Sequence, residues 1–376
     1  MDLQCDFLNQ SLKNPIIIAS SPLSESVKNI DKCYQAGASG IIAKSCSSFN
    51  SGTKGFRRCY VDNKGFWATS TFDREIHDIK ISYKLLSESV RRVEIPIFAS
   101  VTEPTLDFNT WFNSCKIISE SGVNGIQLDF FYLENLITQS DFSKKFVDLL
   151  NNLSENICLP IFPKLNINLP SKYIAHLLKK TKIKSVSLLD SISIPPPFDI
   201  NNQGKQKIQN VQKPYNMSLF GNWQYPLTKK YTYEFINEGF ETCSGGGIVE
   251  WTEIIELIML GASVVQIASD LLINGLSRIN RNIENIEKYL KDNNFNNIQE
   301  IKKLAIDNFG KQGEIQFLDN KVKYNPILCK KCKKCIEQTF CNNINIIDNE
   351  IIINNLYCEG CSFCISICKN NALYYD

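Results

Sequence analysis

The sequence has almost no excess of charge of either sign. Its 41 basic and 39 acidic residues leave a formal net charge of +2 over 376 residues, so we expect no nucleic-acid or membrane-surface partner. The N-terminal segment lacks a basic stretch followed by an apolar core, which argues against a signal peptide. The longest apolar run, residues 257–268, is too short to span a membrane and contains Gly261. We therefore expect a soluble, cytoplasmic protein.

Histidine is also scarce, whereas cysteine is abundant and unevenly distributed. The two histidines, His77 and His176, lie in predicted helical segments, and we expect them to have structural or surface roles. Eight of the 15 cysteines lie between residues 329 and 368, and the others are scattered before them. This clustering favours metal ligation over a framework of disulfides and agrees with a reducing compartment.

Short, near-continuously apolar runs recur along the chain and alternate with amphipathic stretches of helical length. Runs of this kind are typical of strands buried on both faces of a parallel sheet. The eight runs lie at residues 16–20, 40–44, 96–101, 125–129, 160–165, 185–189, 240–244 and 263–268. The predicted helices between them include residues 25–36, 73–93, 108–121 and 252–260. The pattern predicts an α/β fold, a (β/α)8 TIM barrel.

Two long segments interrupt the alternation, and the composition changes after the eighth run. Residues 45–72 follow the second run and residues 191–228 follow the sixth. Insertions at the C-terminal ends of barrel strands are where such folds build active-site walls. From about residue 322 the chain loses its helical period and is punctuated by cysteine. We predict two domains, a barrel at 1–320 and a smaller domain at 321–376.

Two cysteine runs, CKKCKKCIEQTFC (329–341) and CEGCSFCISIC (358–368), have the spacing of iron–sulfur ligands. In two-cluster ferredoxins each run gives three thiolates to one four-iron cluster, while its fourth cysteine ligates the other cluster. The longer gap before Cys341 is tolerable because that cysteine serves the second cluster. The predicted ligand sets are Cys329, Cys332, Cys335 and Cys368 for one cluster, and Cys358, Cys361, Cys364 and Cys341 for the other. The prediction is a C-terminal, bacterial-type ferredoxin domain with two [4Fe-4S] clusters.

Alternatives remain open for this segment. A pair of zinc sites would also use CxxC pairs, but it does not explain the third cysteine at the same spacing in both runs. Lys369 stands where such runs usually carry proline. The gaps of the first run are filled by Lys330, Lys331, Lys333 and Lys334. These lysines form either a solvated loop that offsets cluster charge or a docking patch for an acidic electron carrier.

Lysines and glycines at the ends of the predicted strands indicate a phosphorylated cofactor in the barrel. Lys44 ends the second run and Lys164 lies inside the fifth. An unpaired ammonium is costly to bury, so a lysine in an apolar strand normally faces an anion. The seventh strand leads into SGGGI (244–248) and the eighth into QIASD (266–270). Barrels hold phosphate groups on backbone N–H groups at these positions.

These segments resemble a known family. NPIIIASSP, GIIAKS, PIFPKL, SGGGI and GASVVQIAS are similar to the FMN-binding segments of the dihydroorotate dehydrogenase family. A barrel followed by a two-cluster ferredoxin is similar to the C-terminal part of dihydropyrimidine dehydrogenase and to its bacterial two-subunit counterpart. The resemblance implies that FMN is held by Ala19, Ser20, Lys44, Ser45, Lys164, Ser191, Gly246, Gly247, Ala268 and Ser269. Lys164 would stabilise negative charge on the reduced flavin.

The chain departs from the family where the substrate binds. Asp129 takes the position of a substrate-binding asparagine, and the following loop carries Tyr132 but no catalytic cysteine or serine. After the sixth strand, Asp190 and Ser191 replace an asparagine followed by serine or threonine. In the insertion after the second strand, residues 65–73 contain no asparagine where the family has one, and Trp67 appears instead. The resemblance thus implies retained flavin binding and altered pyrimidine recognition.

The groups that would move protons are few. We take Lys44, Asp129, Tyr132 and Asp190 as the catalytic candidates, and Tyr132 is the nearest replacement acid unless it packs as an ordinary aromatic. Cys46 beside Lys44 is either a thiolate or a buried, inert thiol. Cys243 is expected in the barrel core.

Together these features predict an oxidoreductase that uses FMN and two [4Fe-4S] clusters on a small-molecule substrate other than dihydroorotate or uracil. The sequence lacks a strand-linked GxGxxG motif for a nicotinamide cofactor. Electrons should therefore come from a partner, either ferredoxin or a separate NAD(P)H-oxidising flavoprotein subunit. The chain could also pair as a homodimer. The alternative function is an electron-transfer or interaction subunit whose barrel no longer catalyses.

Overall fold

A computed structural model describes most of the chain. The described residues are 1–49, 59–61, 67–71, 77–131, 136–207, 216–309, 321–348 and 350–375. They belong to two compact units, Met1–Asn308 and Phe309–Asp376. The boundary predicted at residue 320 lies outside the described residues, as does Tyr132. No helix in the described ranges is long and apolar enough to cross a membrane.

The N-terminal unit contains a closed barrel of eight parallel strands, as predicted. Each strand pairs with the next, and the last pairs with the first. The strands are β1 (Ile16–Ile18), β2 (Gly40–Ile42), β3 (Ile97–Val101), β4 (Gly125–Asp129), β5 (Ile161–Lys164), β6 (Ser185–Leu188), β7 (Glu241–Gly245) and β8 (Val264–Ile267). All eight fall within or beside the apolar runs of the sequence, because strands covered on both faces must be apolar along their length.

Helices surround the barrel. They are α1 (Val27–Gln35), α2 (Ile79–Arg92), α3 (Phe108–Ser119), α4 (Phe142–Asn156), α5 (Ser171–Leu178), α6 (Tyr225–Asn237), α7 (Trp251–Met259), α8 (Ser269–Asn274), α9 (Ser277–Asp292) and α10 (Leu304–Asp307). Helices α1, α2 and α3 each begin at a residue whose side chain caps the first turn. The Asp78 side chain accepts hydrogen bonds from the N–H groups of Lys80 and Ile81 and starts α2. The prediction that His77 is helical is therefore wrong, since it lies in the strand His77–Asp78 just before this cap.

An aromatic cluster fills the N-terminal end of the barrel. The hairpin formed by Cys5–Phe7 and Gln10–Leu12 inserts Phe7 against Phe98 and Phe162, with ring centroids 5.8 and 5.4 Å away. All three rings are fully buried. Cys243 belongs to the same apolar cluster, which confirms its predicted place in the barrel core. This end of the barrel interior is therefore closed by apolar side chains.

The insertions after β2 and β6 pair with each other. The strands Cys59–Val61, Trp67–Thr71, Met217–Gly221 and Ile192–Ile194 form one antiparallel sheet, in which Trp67–Thr71 lies beside Met217–Gly221. The second insertion also contains a hairpin of Phe198–Asp199 with Lys205–Gln206. Cys46–Ser47 extends the barrel sheet beside His77–Asp78. One wall is thus shared between two distant segments of the chain.

The C-terminal unit is small and internally repetitive. Lys323–Tyr324 pairs with Leu373–Tyr374, and Ile344–Ile347 pairs with Glu350–Ile353. Two short helices, α11 (Lys334–Glu337) and α12 (Phe363–Ile367), each follow a residue with left-handed backbone, Lys333 or Ser362. Its core contains Val322, Cys335, Ile344, Ile351, Cys364 and Leu373. That this unit is a ferredoxin domain stays a prediction.

Candidate active site

A cavity of about 510 Å³ opens at the C-terminal ends of the barrel strands. Its volume is within the range of pockets that enclose small molecules and cofactors. Every predicted barrel-site residue in the described ranges lines it: Ala19, Ser20, Lys44, Ser45, Asp129, Lys164, Asp190, Ser191, Gly246, Gly247, Ala268 and Ser269. The inserted sheet contributes Val61, Ser218 and Phe220 to the lining. Residues scattered along the sequence therefore share one site.

A buried lysine and two carboxyl groups face this cavity. Asp129 and Lys164 are the last residues of β4 and β5 and lie opposite each other in the strand register. The Lys164 Nζ atom lies 3.2 Å from Oδ1 of Asp190, which follows β6. Asp190 is positioned by its own N–H, which donates to the Leu165 carbonyl over 2.9 Å. Lys164 thus has an anionic partner, as its position in an apolar strand required.

Asp129 lies in a different environment from Asp190. Its Oδ2 accepts a hydrogen bond of 2.8 Å from Ser45 Oγ, and its Oδ1 accepts one of 3.2 Å from the Phe131 N–H. Burial raises the pKa of Asp129, the charge of Asp190 raises it further, and Lys164 and Lys44 act in the opposite direction. Asp129 is therefore a carboxyl group whose pKa lies above the usual range for aspartate.

A chain of hydroxyl groups connects Asp129 to the middle of the barrel. Ser45 Oγ lies 3.0 Å from Ser20 Oγ and 2.9 Å from Ser100 Oγ. Ser100 Oγ in turn accepts a hydrogen bond of 2.9 Å from Gln127 Nε2. These contacts fix the Ser45 hydroxyl beside Asp129 and define the direction from which the carboxyl group is held.

The cavity wall also contains buried polar atoms without partners among the described residues. Gln266 Nε2 donates to Ser187 Oγ over 2.8 Å and to the Leu188 carbonyl over 2.7 Å. Gln266 Oε1 and Ser218 Oγ are buried and make no hydrogen bond within the described ranges. Because buried polar atoms are nearly always satisfied, these two atoms favour a polar ligand in the cavity.

The glycine loop after β7 is closely surrounded. Gly246 and Gly247 have φ values of 97° and 87°, a region that side chains other than glycine rarely adopt. A Cβ atom on Gly247 would lie 2.5 Å from the backbone nitrogen of Tyr225 and 2.9 Å from the Gly221 carbonyl oxygen. The Thr228 hydroxyl donates to the carbonyls of Gly245 and Gly246. The loop and the two lysines fit a cofactor that carries a phosphate group.

Cys46 does not belong to the reactive part of the site. It is 1% exposed, and burial raises the pKa of its thiol to about 12. Burial likewise raises the pKa of Cys243. Of the two interpretations of Cys46, the inert buried thiol is the correct one.

In the C-terminal unit, the predicted cysteine sets are grouped in space. Cys329, Cys332, Cys335 and Cys368 line one small cleft. Burial raises the pKa of Cys335, and the neighbouring thiols of Cys329, Cys332 and Cys368 add to the rise. Burial raises the pKa of Cys364 to about 11, and its contributing neighbours are Cys361, Cys341 and Cys358.

Backbone N–H groups point at two of these sulfur atoms. The Lys331 N–H donates to Cys329 Sγ and the Ala372 N–H donates to Cys368 Sγ, each over 3.3 Å. Such bonds stabilise thiolate ligands of iron–sulfur clusters. In the described ranges, however, no group of three or more His, Cys, Asp or Glu side chains is arranged to hold a metal ion. The donor chemistry fits two clusters, and their presence stays a prediction.

Comparison with known proteins relates the chain to pyrimidine-metabolising dehydrogenases. No family model matches it. It is 23% identical over 317 residues to the dihydroorotate dehydrogenase B (NAD(+)) catalytic subunit of Thermoplasma acidophilum, covering 81% of this chain and 99% of that protein. It is 20% identical over 331 residues to the NAD-dependent dihydropyrimidine dehydrogenase subunit PreA of Escherichia coli K12, covering 82% and 77%. Dihydroorotate dehydrogenase (fumarate) of Saccharomyces mikatae is 25% identical over 303 residues, covering 77% and 92%.

The chain is similar to dihydroorotate dehydrogenases and to a dihydropyrimidine dehydrogenase subunit. The family resemblance of the sequence is thereby confirmed, at an identity of 20–25% over about four fifths of the chain. All three of these relatives are named as dehydrogenases, a class of oxidoreductase.

Sequence reasoning missed several polar residues that line this cavity or are hydrogen-bonded to the residues behind it. Ser100, Gln127 and Gln266 lie on barrel strands, and Ser218 lies on the inserted sheet. A polar residue within an apolar run was the available signal for the three on barrel strands. For Ser218 no such signal exists, because its position depends on the pairing of the two insertions.

Proposed function

We propose that this chain is an oxidoreductase dependent on FMN and two [4Fe-4S] clusters, acting on a small organic substrate that carries hydrogen-bond donors. The observation that carries the proposal is the convergence of Lys44, Lys164, the Gly246–Gly247 loop and two carboxyl groups on one cavity. Bound FMN would supply hydride transfer, and the clusters would supply single electrons. The alignments with dehydrogenases over most of the chain support the reaction class.

The residues around the cavity would divide the work of binding the flavin. Lys164 would stabilise negative charge on its ring system, while Ala268, Ser269 and the glycine loop would hold its phosphate. Ala19, Ser20, Lys44, Ser45 and Ser191 complete the proposed binding set. Since Lys164 is ion-paired with Asp190, part of its charge is already balanced by the protein.

Asp129 and Asp190 would recognise the substrate. An ionised carboxylate only accepts hydrogen bonds, whereas the asparagine of the family both donates and accepts. A carbonyl of a pyrimidine would therefore meet an acceptor at Asp190, which is ion-paired with Lys164, and at Asp129 whenever that group is deprotonated. Each such mismatch costs on the order of 1–3 kcal/mol. A ligand bearing amine, amidine or guanidine groups is favoured. We expect neither efficient dihydroorotate oxidation nor uracil reduction.

Asp129 would also move the proton that accompanies hydride transfer. Its pKa is raised by burial and by Asp190, and the Ser45 hydroxyl holds Oδ2. Two carboxyl groups whose environments differ in this way are typical of acid and base pairs. This role replaces the cysteine or serine that the chain lacks after β4. Tyr132 remains a second proposed acid.

An external partner would provide the electrons. The related chains of Thermoplasma and Escherichia coli are both named as subunits. We propose a ferredoxin or a separate NAD(P)H-oxidising flavoprotein subunit in this role.

The test begins with anaerobically purified protein. FMN, iron and acid-labile sulfide are measured, and Lys164→Ala is expected to lower FMN retention or to make bound FMN harder to reduce. Orotate, dihydroorotate, uracil and thymine are then assayed in both directions, along with donor-bearing heterocycles. Turnover of any of the four pyrimidines at about 1 per second or faster would refute the substrate proposal. Absence of FMN at micromolar flavin would refute the cofactor.

The second candidate function is an electron-transfer subunit with an inactive barrel, favoured by the absence of cysteine and serine from residues 130–133, directly after β4. Chemically reduced, cluster-loaded protein that reduces no small molecule on its own would support it. Asp129→Asn separates the two functions. If Asp129 is catalytic, the substitution should alter the pH–rate profile of turnover. If the barrel is inert, neither the unmodified protein nor the variant should turn over a substrate.

A further inference from the structure

Lysines are concentrated at one of the two cysteine groups of the C-terminal unit. We call this surface the lysine face, formed by Lys330, Lys331, Lys333, Lys334, Lys369 and Ile327. All five lysines are exposed. Lys330, Lys333 and Lys334 line the same cleft as the four cysteines of the first set. Lys369 follows Cys368, the fourth cysteine of that set.

The internal repeat shows that the fold does not require these lysines. The four positions between Cys329 and Cys335 correspond to those between Cys358 and Cys364, which carry Glu, Gly, Ser and Phe. The backbone has a similar φ at corresponding positions of the two runs: Lys333 has φ 60° and Ser362 has φ 59°. The local charge differs by five units, from +4 in the first run to −1 in the second. The lysines are therefore a property of one cysteine group and not of the fold.

Two of the lysines also occupy unfavourable backbone positions. Lys331 and Lys333 have φ values of 53° and 60°, in the left-handed region that long side chains rarely adopt. None of the five lysines makes an ion pair with a residue in the described ranges. Local stability therefore does not explain them.

The face combines charge with an exposed apolar residue. Ile327 is 91% exposed and lies two residues before Cys329. Protein interfaces typically combine apolar contact with charged groups around it, and complementary charge accelerates encounter. An excess of positive charge around a redox-active group fits a partner with an acidic surface.

We propose that the lysine face is the docking surface of an acidic one-electron carrier protein, which reduces the cluster at Cys329, Cys332, Cys335 and Cys368. The reduced carrier loses one electron and that cluster gains it, and no atom is transferred. This inference rests on the proposed function, because it needs the cluster to be present. It goes beyond it by assigning the entry point of electrons to one of the two groups.

The test uses the full chain with charge reversals at residues outside the left-handed positions. The lysine-face variant carries Lys330→Glu, Lys334→Glu and Lys369→Glu. The control carries the same change of total charge on exposed barrel lysines that make no ion pair in the described ranges, Lys144→Glu, Lys172→Glu and Lys288→Glu. Iron and acid-labile sulfide are first measured in all three proteins. Reduction by an acidic two-cluster bacterial ferredoxin is then followed by stopped flow from low to high salt.

At low salt, ferredoxin should reduce the lysine-face variant at a rate about 10-fold or more below that of the unmodified protein. The difference should vanish near 1 M salt, where the Debye length is about 3 Å. The control variant, and reduction of all proteins by the neutral reductant photoreduced 5-deazariboflavin, should be unchanged.

The outcomes separate the docking surface from the proposed function. Cluster-loaded lysine-face variant that accepts electrons from ferredoxin at the unmodified rate would overturn the docking surface alone. Equal slowing in the control would overturn it too, since the effect would then be one of total charge. A change in sedimentation caused only by the lysine-face substitutions would also overturn it, since a second copy of the chain would then cover the face. Unmodified protein without iron and sulfide would overturn the proposed function, and this inference with it.

Discussion

Two glycines at opposite ends of α6 allow the packing of the cavity wall to be measured apart from backbone strain. Gly247 and Gly239 both have φ values of 87°. A Cβ atom on Gly247 would lie 2.5 Å from the backbone nitrogen of Tyr225. A Cβ atom on Gly239 would meet nothing within 4 Å. Substitution by alanine therefore imposes the same positive φ at both sites and a steric clash at only one.

The expected stability losses follow from this difference. Each alanine in the left-handed region costs about 1–2 kcal/mol. At Gly247 the clash adds about 1–3 kcal/mol, as inserted groups do in a packed interior, because the atoms it meets belong to the backbone and cannot rotate away. For a unit of this size, 1 kcal/mol corresponds to about 2–4 °C in Tm. Gly247→Ala should thus melt roughly 2–12 °C below Gly239→Ala.

The assay is scanning calorimetry of both variants and the unmodified protein, with FMN content measured on the same samples. Gly247→Ala should also retain less FMN, since Gly247 lines the cavity and Gly239 follows the other end of α6. Equal Tm losses in the two variants would refute the close packing of the glycine loop against the start of α6. Equal FMN content would refute its part in the cofactor site.

Three further predictions address the core, the charge of the site and the clusters. Phe162→Ala should lower the unfolding free energy of the barrel by about 3–5 kcal/mol, measured by denaturant unfolding, while Phe198→Ala at an exposed position should change it little. Burial raises the pKa of Asp129, so the native state binds the Asp129 proton more tightly than the unfolded chain does. The stability that this proton confers is fully present below the unfolded pKa and is lost as pH rises through the folded pKa. Asp129→Asn should therefore gain Tm relative to the unmodified protein as pH rises above 4, and a difference independent of pH would contradict the raised pKa. Cys341→Ala should remove about half of the iron and labile sulfide, and an unaltered content, or an equal loss in Cys158→Ala, would count against the second cysteine set.

The barrel could be predicted because its strands carry their environment in their own residues. A strand covered on both faces is apolar along its length, and a lysine such as Lys164 within one signals an anion at the site. The cavity residues followed from the rule that barrel sites lie at the C-terminal ends of strands. The residue that each strand end contributes to the site can therefore be predicted from the sequence of that strand alone.

Contacts between distant residues could not be predicted in the same way. Asp129 lies opposite Lys164 in the strand register, yet Lys164 pairs with Asp190. That ion pair depends on the path of the chain after β6. The hydrogen bonds that position Ser45 come from β3 and from the segment after β1. His77 was misassigned because the cap at Asp78 overrides the helical period before it.

The two insertions form one sheet and therefore depend on each other structurally. The strand Trp67–Thr71 from one insertion supplies the hydrogen-bond partner of Met217–Gly221 from the other. Grafting either insertion alone onto another barrel would leave a strand with an unpaired edge, which invites aggregation. The wall that the two insertions form beside the cavity can therefore be transplanted intact only by moving both segments together.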